Sequence, residues 1–132
     1  MSISSYRDLK VWQVGMEVAD QIYQLTDSFP KQEIYGLSSQ MQRAAVSIPS
    51  NIAEGHARNY TKEFLHHISI ALGSLAELET QLIIAARRPY IQNKADIETL
   101  FHKMEELGKM LRGLQNSLEN KLKRDNKPRT EN

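Results

Sequence analysis

The chain has 132 residues, of which 40% are hydrophobic and 25% are charged, and its net charge is +1. This length and balance are typical of one folded globular domain and exclude a disordered chain. The lack of cysteine excludes disulfides, thiolate zinc sites and cysteine nucleophiles, and it fits a reducing cytoplasm. The near-neutral charge also excludes the strongly basic balance of a dedicated DNA-binding module.

The first residues, 1–8, lack the apolar core of a signal peptide. The longest stretch without Asp, Glu, Lys or Arg, residues 64–76, is too short to cross a bilayer. We therefore expect a soluble, cytoplasmic protein that does not associate with membranes.

Two amphipathic segments occupy the first half of the chain. The first, residues 6–27, repeats apolar side chains at three- and four-residue steps and ends before Pro30, which cannot continue a helix. The second, residues 33–56, keeps its apolar period in phase across Pro49. This pattern predicts one helix kinked near Pro49 rather than two separate helices.

Two further segments occupy the second half. The third, residues 61–88, begins with Thr61 as the expected N-cap and ends before Pro89. The fourth, residues 94–123, follows Asn93 as N-cap and has an unbroken apolar stripe.

No segment alternates with the period of a β-strand, and the three connections are short, which favours antiparallel neighbours. The sequence therefore predicts an all-α fold, an up-down-up-down antiparallel four-helix bundle over residues 1–124. Residues 125–132 are predicted to form a flexible polar tail.

Several runs of the sequence resemble one bacterial protein family. They are residues 6–13, 29–30, 35–37, 40, 43, 44–55 and 71–79. The run from 44 to 55, Ala-Ala-Val-Ser-Ile-Pro-Ser-Asn-Ile-Ala-Glu-Gly, is the most specific of them. The chain resembles the four helix bundle proteins first noticed as products of intervening sequences in 23S ribosomal RNA genes, which are similar in fold to the accessory variability proteins of diversity-generating retroelements.

The resemblance implies an up-down four-helix protomer that assembles into a ring, a homopentamer. For the retroelement relatives it implies binding of nucleic acid and reverse transcriptase through basic residues. For the ribosomal intervening-sequence branch it implies no settled activity.

The second segment carries one polar stripe at steps of three and four residues, made of Gln40, Arg43, Ser47, Asn51 and Glu54. One interpretation is a solvated outer face. We favour a polar interface that pairs with another helix, within the protomer or across the ring, because the stripe lacks lysine and is rich in short hydrogen-bonding side chains.

The third segment adds two acidic residues to this candidate interface. Glu79 falls within an apolar stripe, where an unpaired carboxylate is costly, and Arg43 is its expected partner. Glu77 is one position off that stripe and is expected at its boundary. No adjacent nucleophile or base supports a catalytic carboxylate pair. Gly73 and Ser74 are expected to allow a close helix approach.

A di-iron site of the bundle type needs two Glu-x-x-His motifs. Glu63 and His66 supply one, and the other histidines do not complete a second. We therefore expect no metal, no cofactor, no catalytic residue and no small-molecule substrate.

Basic side chains offer the remaining route to a function, and a ring would repeat each of them by symmetry. The candidate nucleic-acid contacts are Arg58, Lys62, Arg87, Arg88, Lys109 and Arg112. The expected function is that of a non-enzymatic, ring-forming interaction protein, an accessory factor that contacts RNA, DNA or a nucleoprotein. The alternatives are a structural or protein-binding oligomer without a nucleic-acid role and, remotely, a metal-dependent bundle enzyme.

Overall fold

The computed structural model describes residues 5–126, which form four α-helices and no β-strand. Residues 1–4 and 127–132, which include most of the predicted tail, lie outside the described residues. The helices are α1 (Lys10–Asp27), α2 (Leu37–Ala57), α3 (Thr61–Ala86) and α4 (Lys94–Asp125).

Each helix packs against its neighbours in the chain, and α1 also contacts α4, so the four helices close into a bundle. Within residues 5–126, the diagonal pairs α1 with α3 and α2 with α4 do not approach each other. This arrangement is that of an up-down-up-down bundle, and it confirms the predicted fold class.

The core is built from the apolar stripes of all four helices. Burying one such aliphatic side chain stabilises the fold by about 1.5–3 kcal/mol, before the entropy cost of ordering it. The largest fully buried side chains are Val18, Ile22, Met41, Ile48, Ile52, Ile68, Leu75, Leu78, Leu82, Met104, Leu107 and Leu111.

Helix α2 continues through Pro49, so the second segment forms one helix, as predicted. The proline lacks an N–H, and the carbonyl group of Ala45 therefore has no helical donor. Pro49 is buried beside Gly15 of α1, where an added Cβ would lie 3.6 Å from the Pro49 Cβ. A small residue on α1 thus accommodates the proline ring.

The helix starts differ from the predicted ones for local reasons. Residues Tyr6–Asp8 form a separate 3-10 turn, because extended Leu9 interrupts the chain before α1. A second 3-10 turn, Lys31–Glu33, delays the start of α2 to Leu37. Tyr60, not Thr61, occupies the N-cap position of α3.

The start of α4 agrees with its prediction. Asn93 is the N-cap, and its side-chain oxygen accepts a hydrogen bond from the Ala95 N–H at 3.1 Å. This bond satisfies one of the free amides at the start of the helix.

The two ends of the bundle differ. One end, here called the two-connection end, carries residues 28–36 and 87–93. There the Tyr90 hydroxyl donates a 2.8 Å hydrogen bond to the Glu33 carboxylate, and the Tyr90 ring lies 5.0 Å from the Phe29 ring. The opposite, one-connection end carries residues 58–60 with the start of α1 and the end of α4.

One helix of the described chain, α3, is long and apolar enough to cross a membrane by length and composition alone. Of its most apolar stretch, 39% is buried inside the bundle. This is weak evidence for a membrane span, because the core helix of a soluble protein passes the same test.

Candidate interaction surfaces

Two residues of the polar stripe bind α3 of the same chain. The hydroxyl groups of Ser47 and Ser74 lie 2.8 Å apart. The Asn51 amide donates to the Ser47 carbonyl at 2.8 Å and to its hydroxyl at 3.0 Å. The Asn51 Oδ1 atom lies 3.0 Å from Nδ1 of His67, whose side chain is 13% exposed. These bonds set the register of α2 against α3.

Gly55 lies one turn beyond Asn51, at a close approach of α2 and α3. A Cβ added there would lie 2.7 Å from the His67 Cβ and 3.0 Å from Cδ1 of Phe64. Real side chains do not tolerate such distances, so α3 can lie this close only against glycine. Gly55 therefore belongs to the same helix contact as the stripe.

The other three stripe residues, Gln40, Arg43 and Glu54, are exposed. Glu54 forms an ion pair with Arg58 at 2.8 Å, on the same helix and in contact with solvent. The stripe is thus divided: Ser47 and Asn51 bind α3, whereas Gln40 and Arg43 face outward. Glu54 is exposed, and its Oε1 atom lies 4.0 Å from Nε2 of His67 on α3.

The expected pair between Arg43 and Glu79 does not form within the described chain, where neither residue has an ion-pair partner. Arg43 points to solvent, whereas Glu79 is half-buried. Glu77 is exposed and accepts a long hydrogen bond of 3.4 Å from the Gln81 amide. The other amide atom, Gln81 Oε1, is buried without a hydrogen-bond partner among the described protein groups.

The outward face of α3 is almost uncharged. We call it the α3 strip and define it as Ile70, Gly73, Ala76, Glu77, Thr80, Ile83 and Ile84, all of which are exposed. Glu77 is its only charged member. Gly73 meets nothing within 4 Å, so the expected close approach at this glycine does not occur within the protomer. An unused glycine costs a helix about 1 kcal/mol relative to alanine.

The outward face of α4 has the opposite character, with charged or polar groups on every turn. Its exposed residues include Glu98, His102, Glu105, Glu106, Lys109, Arg112, Asn116, Glu119 and Lys123. This is the composition of a solvated helix face. Two neighbouring helices of one bundle therefore present very different surfaces.

A second apolar surface lies between α1 and α2. We call it the α1/α2 groove; it holds a cavity of about 380 Å³ lined by Trp12, Met16, Tyr23, Val46 and Pro49 among others. Met16, Tyr23 and Val46 are exposed there. Arg43 lies at the continuation of this groove, beside Tyr23 and Val46.

The candidate nucleic-acid contacts do not form one patch. Arg58 and Lys62 lie at the one-connection end, and Arg87 and Arg88 lie beyond the opposite end of α3. Lys109 and Arg112 are exposed along α4. The antiparallel topology thus places these basic residues at different ends of the bundle, although the sequence grouped them by their charge.

The one-connection end is nevertheless positive. Residues 5–13, 51–63 and 112–126 include eight basic and five acidic residues, a net charge of +3. The rest of the described chain includes seven basic and ten acidic residues, a net charge of −3. Tyr60 stands 69% exposed between Arg58 and Lys62. Apolar periodicity alone does not reveal that this tyrosine is exposed.

Metal-ligating residues do not cluster in residues 5–126, where no group of three or more His, Asp or Glu side chains could hold a metal ion.

Comparison with known proteins supports the resemblance seen in the sequence. Residues 7–113 match the family described as 23S rRNA-intervening sequence protein. No curated protein matches the chain. A similar solved structure is the crystal structure of a protein of unknown function from the S23 ribosomal protein family of Bacteroides thetaiotaomicron. It has a TM-score of 0.72 and 26% sequence identity, and the match covers 80% of this chain and 97% of that one. The chain belongs to the 23S rRNA-intervening sequence protein family.

Proposed function

We propose that this chain is a non-enzymatic, cytoplasmic interaction protein that works as a homo-oligomeric ring. The α3 strip is the observation that carries the proposal. A helix face left in water is normally charged, as that of α4 is, whereas a contiguous apolar face usually marks a protein interface. Covering the strip with other copies of the chain removes its isoleucine side chains from water.

A membrane is a weaker explanation of the same apolar face. The inner side of α3 packs against α2 and α4, so the helix cannot enter a bilayer alone without leaving the core. Inserting the whole bundle would bring the charged face of α4 into hydrocarbon, and each charge there is costly. Self-assembly covers the strip without either cost.

The test is the mass of the native assembly, measured by light scattering and native mass spectrometry. We expect five copies of the 15.1 kDa chain, the ring size that the family resemblance implies. Ile84→Glu places a charge on the strip and is expected to give monomers. The matched control, Asn116→Glu on the solvated face of α4, is expected to assemble normally. A wild-type chain that stays monomeric at tens of micromolar would refute the proposal.

Contact with nucleic acid is the second candidate, and the positive one-connection end favours it. Arg58 and Lys62 lie two residues on either side of exposed Tyr60 in the chain, and Tyr60 and Lys121 line one small cavity. Cations attract phosphates, and an exposed aromatic ring can stack on unpaired bases. A ring would repeat this group once per copy.

Fluorescence anisotropy with a labelled single-stranded RNA at low salt tests this second candidate. Tyr60→Ala and Lys62→Glu are expected to weaken binding about tenfold each, consistent with the energy of one stacked base or one phosphate contact. Arg87→Glu, at the opposite end, is the control and should bind like the wild type. An assembled protein that fails to bind at low ionic strength would support a structural or protein-binding oligomer instead.

A further inference from the structure

We infer that the α3 strip of one copy packs into the α1/α2 groove of the next copy, with Arg43 of the groove paired to Glu77 of the strip. This inference rests on the proposed self-assembly and specifies its interface. It assigns one partner, a second copy of this chain, to both uncovered apolar surfaces.

The two surfaces complement each other in shape and composition. The strip is the convex face of a single helix, whereas the groove is a concave surface between two helices. Both are apolar. Because the strip and the groove are different surfaces of the protomer, such a contact is head-to-tail, and repeating it closes a ring when the rotation between copies allows.

Their heights along the bundle also agree. The hydrogen bond between Ser47 and Ser74 places those two residues at one level. Arg43 lies four residues from Ser47 toward the two-connection end, about 6 Å at the helical rise. Glu77 lies three residues from Ser74 in the same direction, about 4.5 Å. The two residues therefore differ in height by only about 2 Å.

Copies whose long axes run parallel to the axis of a ring meet at equal heights. Arg43 of one copy then faces Glu77 of the next, and their charges are opposite. Neither residue has an ion-pair partner within the described chain. Opposite charges at a mainly apolar contact set register and orientation, because any other alignment leaves one of them unpaired.

Gly73 fits the same contact. It lies within about 3 Å of the height of Val46, which projects from the groove region. The glycine leaves a flat place on the strip, with nothing within 4 Å inside the protomer. A neighbouring copy can therefore bring Val46 close to the α3 backbone there.

Charge exchange tests the pairing. Arg43→Glu and Glu77→Arg are each expected to raise the dissociation constant of the assembly at least tenfold. A 1:1 mixture of the two variants is expected to associate more than either variant alone, because each variant supplies the charge that the other needs, although a ring of five alternating copies keeps one like-charge contact. The double variant with both changes should assemble alone. Glu105→Arg, on the solvated face of α4, is the control and should leave assembly unchanged.

Gly73→Leu provides an independent test of the close approach. It should prevent assembly, whereas Gly113→Leu at an equally open glycine of α4 should not.

The outcomes separate this inference from the proposed function. A monomeric wild type would overturn both. A wild-type ring that persists in both single charge variants and in Gly73→Leu would overturn the interface and leave self-assembly standing. If the double variant assembles but mixing the two single variants gives no gain in association, then Arg43 and Glu77 pair inside one copy, which also overturns the interface.

Discussion

Replacing Gly55 with alanine should destabilise the bundle, although alanine is the better helix former. The added Cβ would lie 2.7 Å from the His67 Cβ, 3.0 Å from Cδ1 of Phe64 and 3.3 Å from the Phe64 Cα. Carbon atoms in favourable contact are about 3.5–4.0 Å apart, so α3 has to move by close to an ångström. One contact is with backbone, so a side-chain rotation cannot relieve all of them.

The expected magnitude follows from two opposing effects. Overpacking of this kind costs about 3 kcal/mol at the upper end of its usual range. The gain in helix propensity from glycine to alanine is about 1 kcal/mol. The net loss is therefore about 2 kcal/mol, which lowers the melting temperature of a domain of this size by roughly 8 °C.

Thermal and urea unfolding followed by circular dichroism, at one fixed protein concentration, measures this loss. Gly113→Ala is the matched control, because a Cβ at Gly113 meets nothing within 4 Å and should raise stability by up to about 1 kcal/mol. If Gly55→Ala behaves like Gly113→Ala, then the close packing of α2 on α3 does not require glycine, and the account of this helix contact is wrong.

Three further substitutions test the polar groups. Asn51→Leu should lower the free energy of unfolding by about 1–3 kcal/mol in denaturant titrations, because Nδ1 of His67 loses the Asn51 Oδ1 atom as its hydrogen-bond partner. The mass of the assembly should stay unchanged. Gln81→Leu should raise stability by about 1 kcal/mol by the same assay, since it removes a buried oxygen without a partner. Burial and the Glu33 carboxylate raise the pKa of Tyr90 from 10.0 to about 12, so its contribution to stability is complete below pH 10 and is lost as pH rises toward 12. Tyr90→Phe should remove that pH dependence, and an unchanged stability profile between pH 9 and 12 would count against it.

Much of the fold could be predicted because apolar periodicity alone determines it. The phase of the apolar positions across Pro49 indicated one continuous helix, and the cap at Asn93 was readable from local chemistry. The starts of α1 and α2 could not be predicted, because the 3-10 turns at Tyr6–Asp8 and Lys31–Glu33 depend on short-range hydrogen bonds that leave no periodic signal.

The candidate site was predicted less completely, because a helical wheel gives directions and not distances. The helical period placed Asn51 and Arg43 on one stripe of α2, yet of these two residues only Asn51 forms a hydrogen bond with α3. It put Glu79 in an apolar row and suggested Arg43 as its partner, but the helix packing leaves them unpaired in the protomer. The role of Gly55 required the separation of two helices, which sequence alone does not contain.

The three-residue connection between α2 and α3 has a consequence for the order of folding. Contacts such as Ser47 with Ser74 close a short loop, whereas the bond between Lys103 and Glu17 joins residues 86 positions apart. Short loops close at a lower entropy cost, so the α2–α3 hairpin should form early and α1 should dock on α4 late. In stopped-flow experiments, Ser74→Ala should then mainly slow refolding, and Lys103→Ala should mainly speed unfolding.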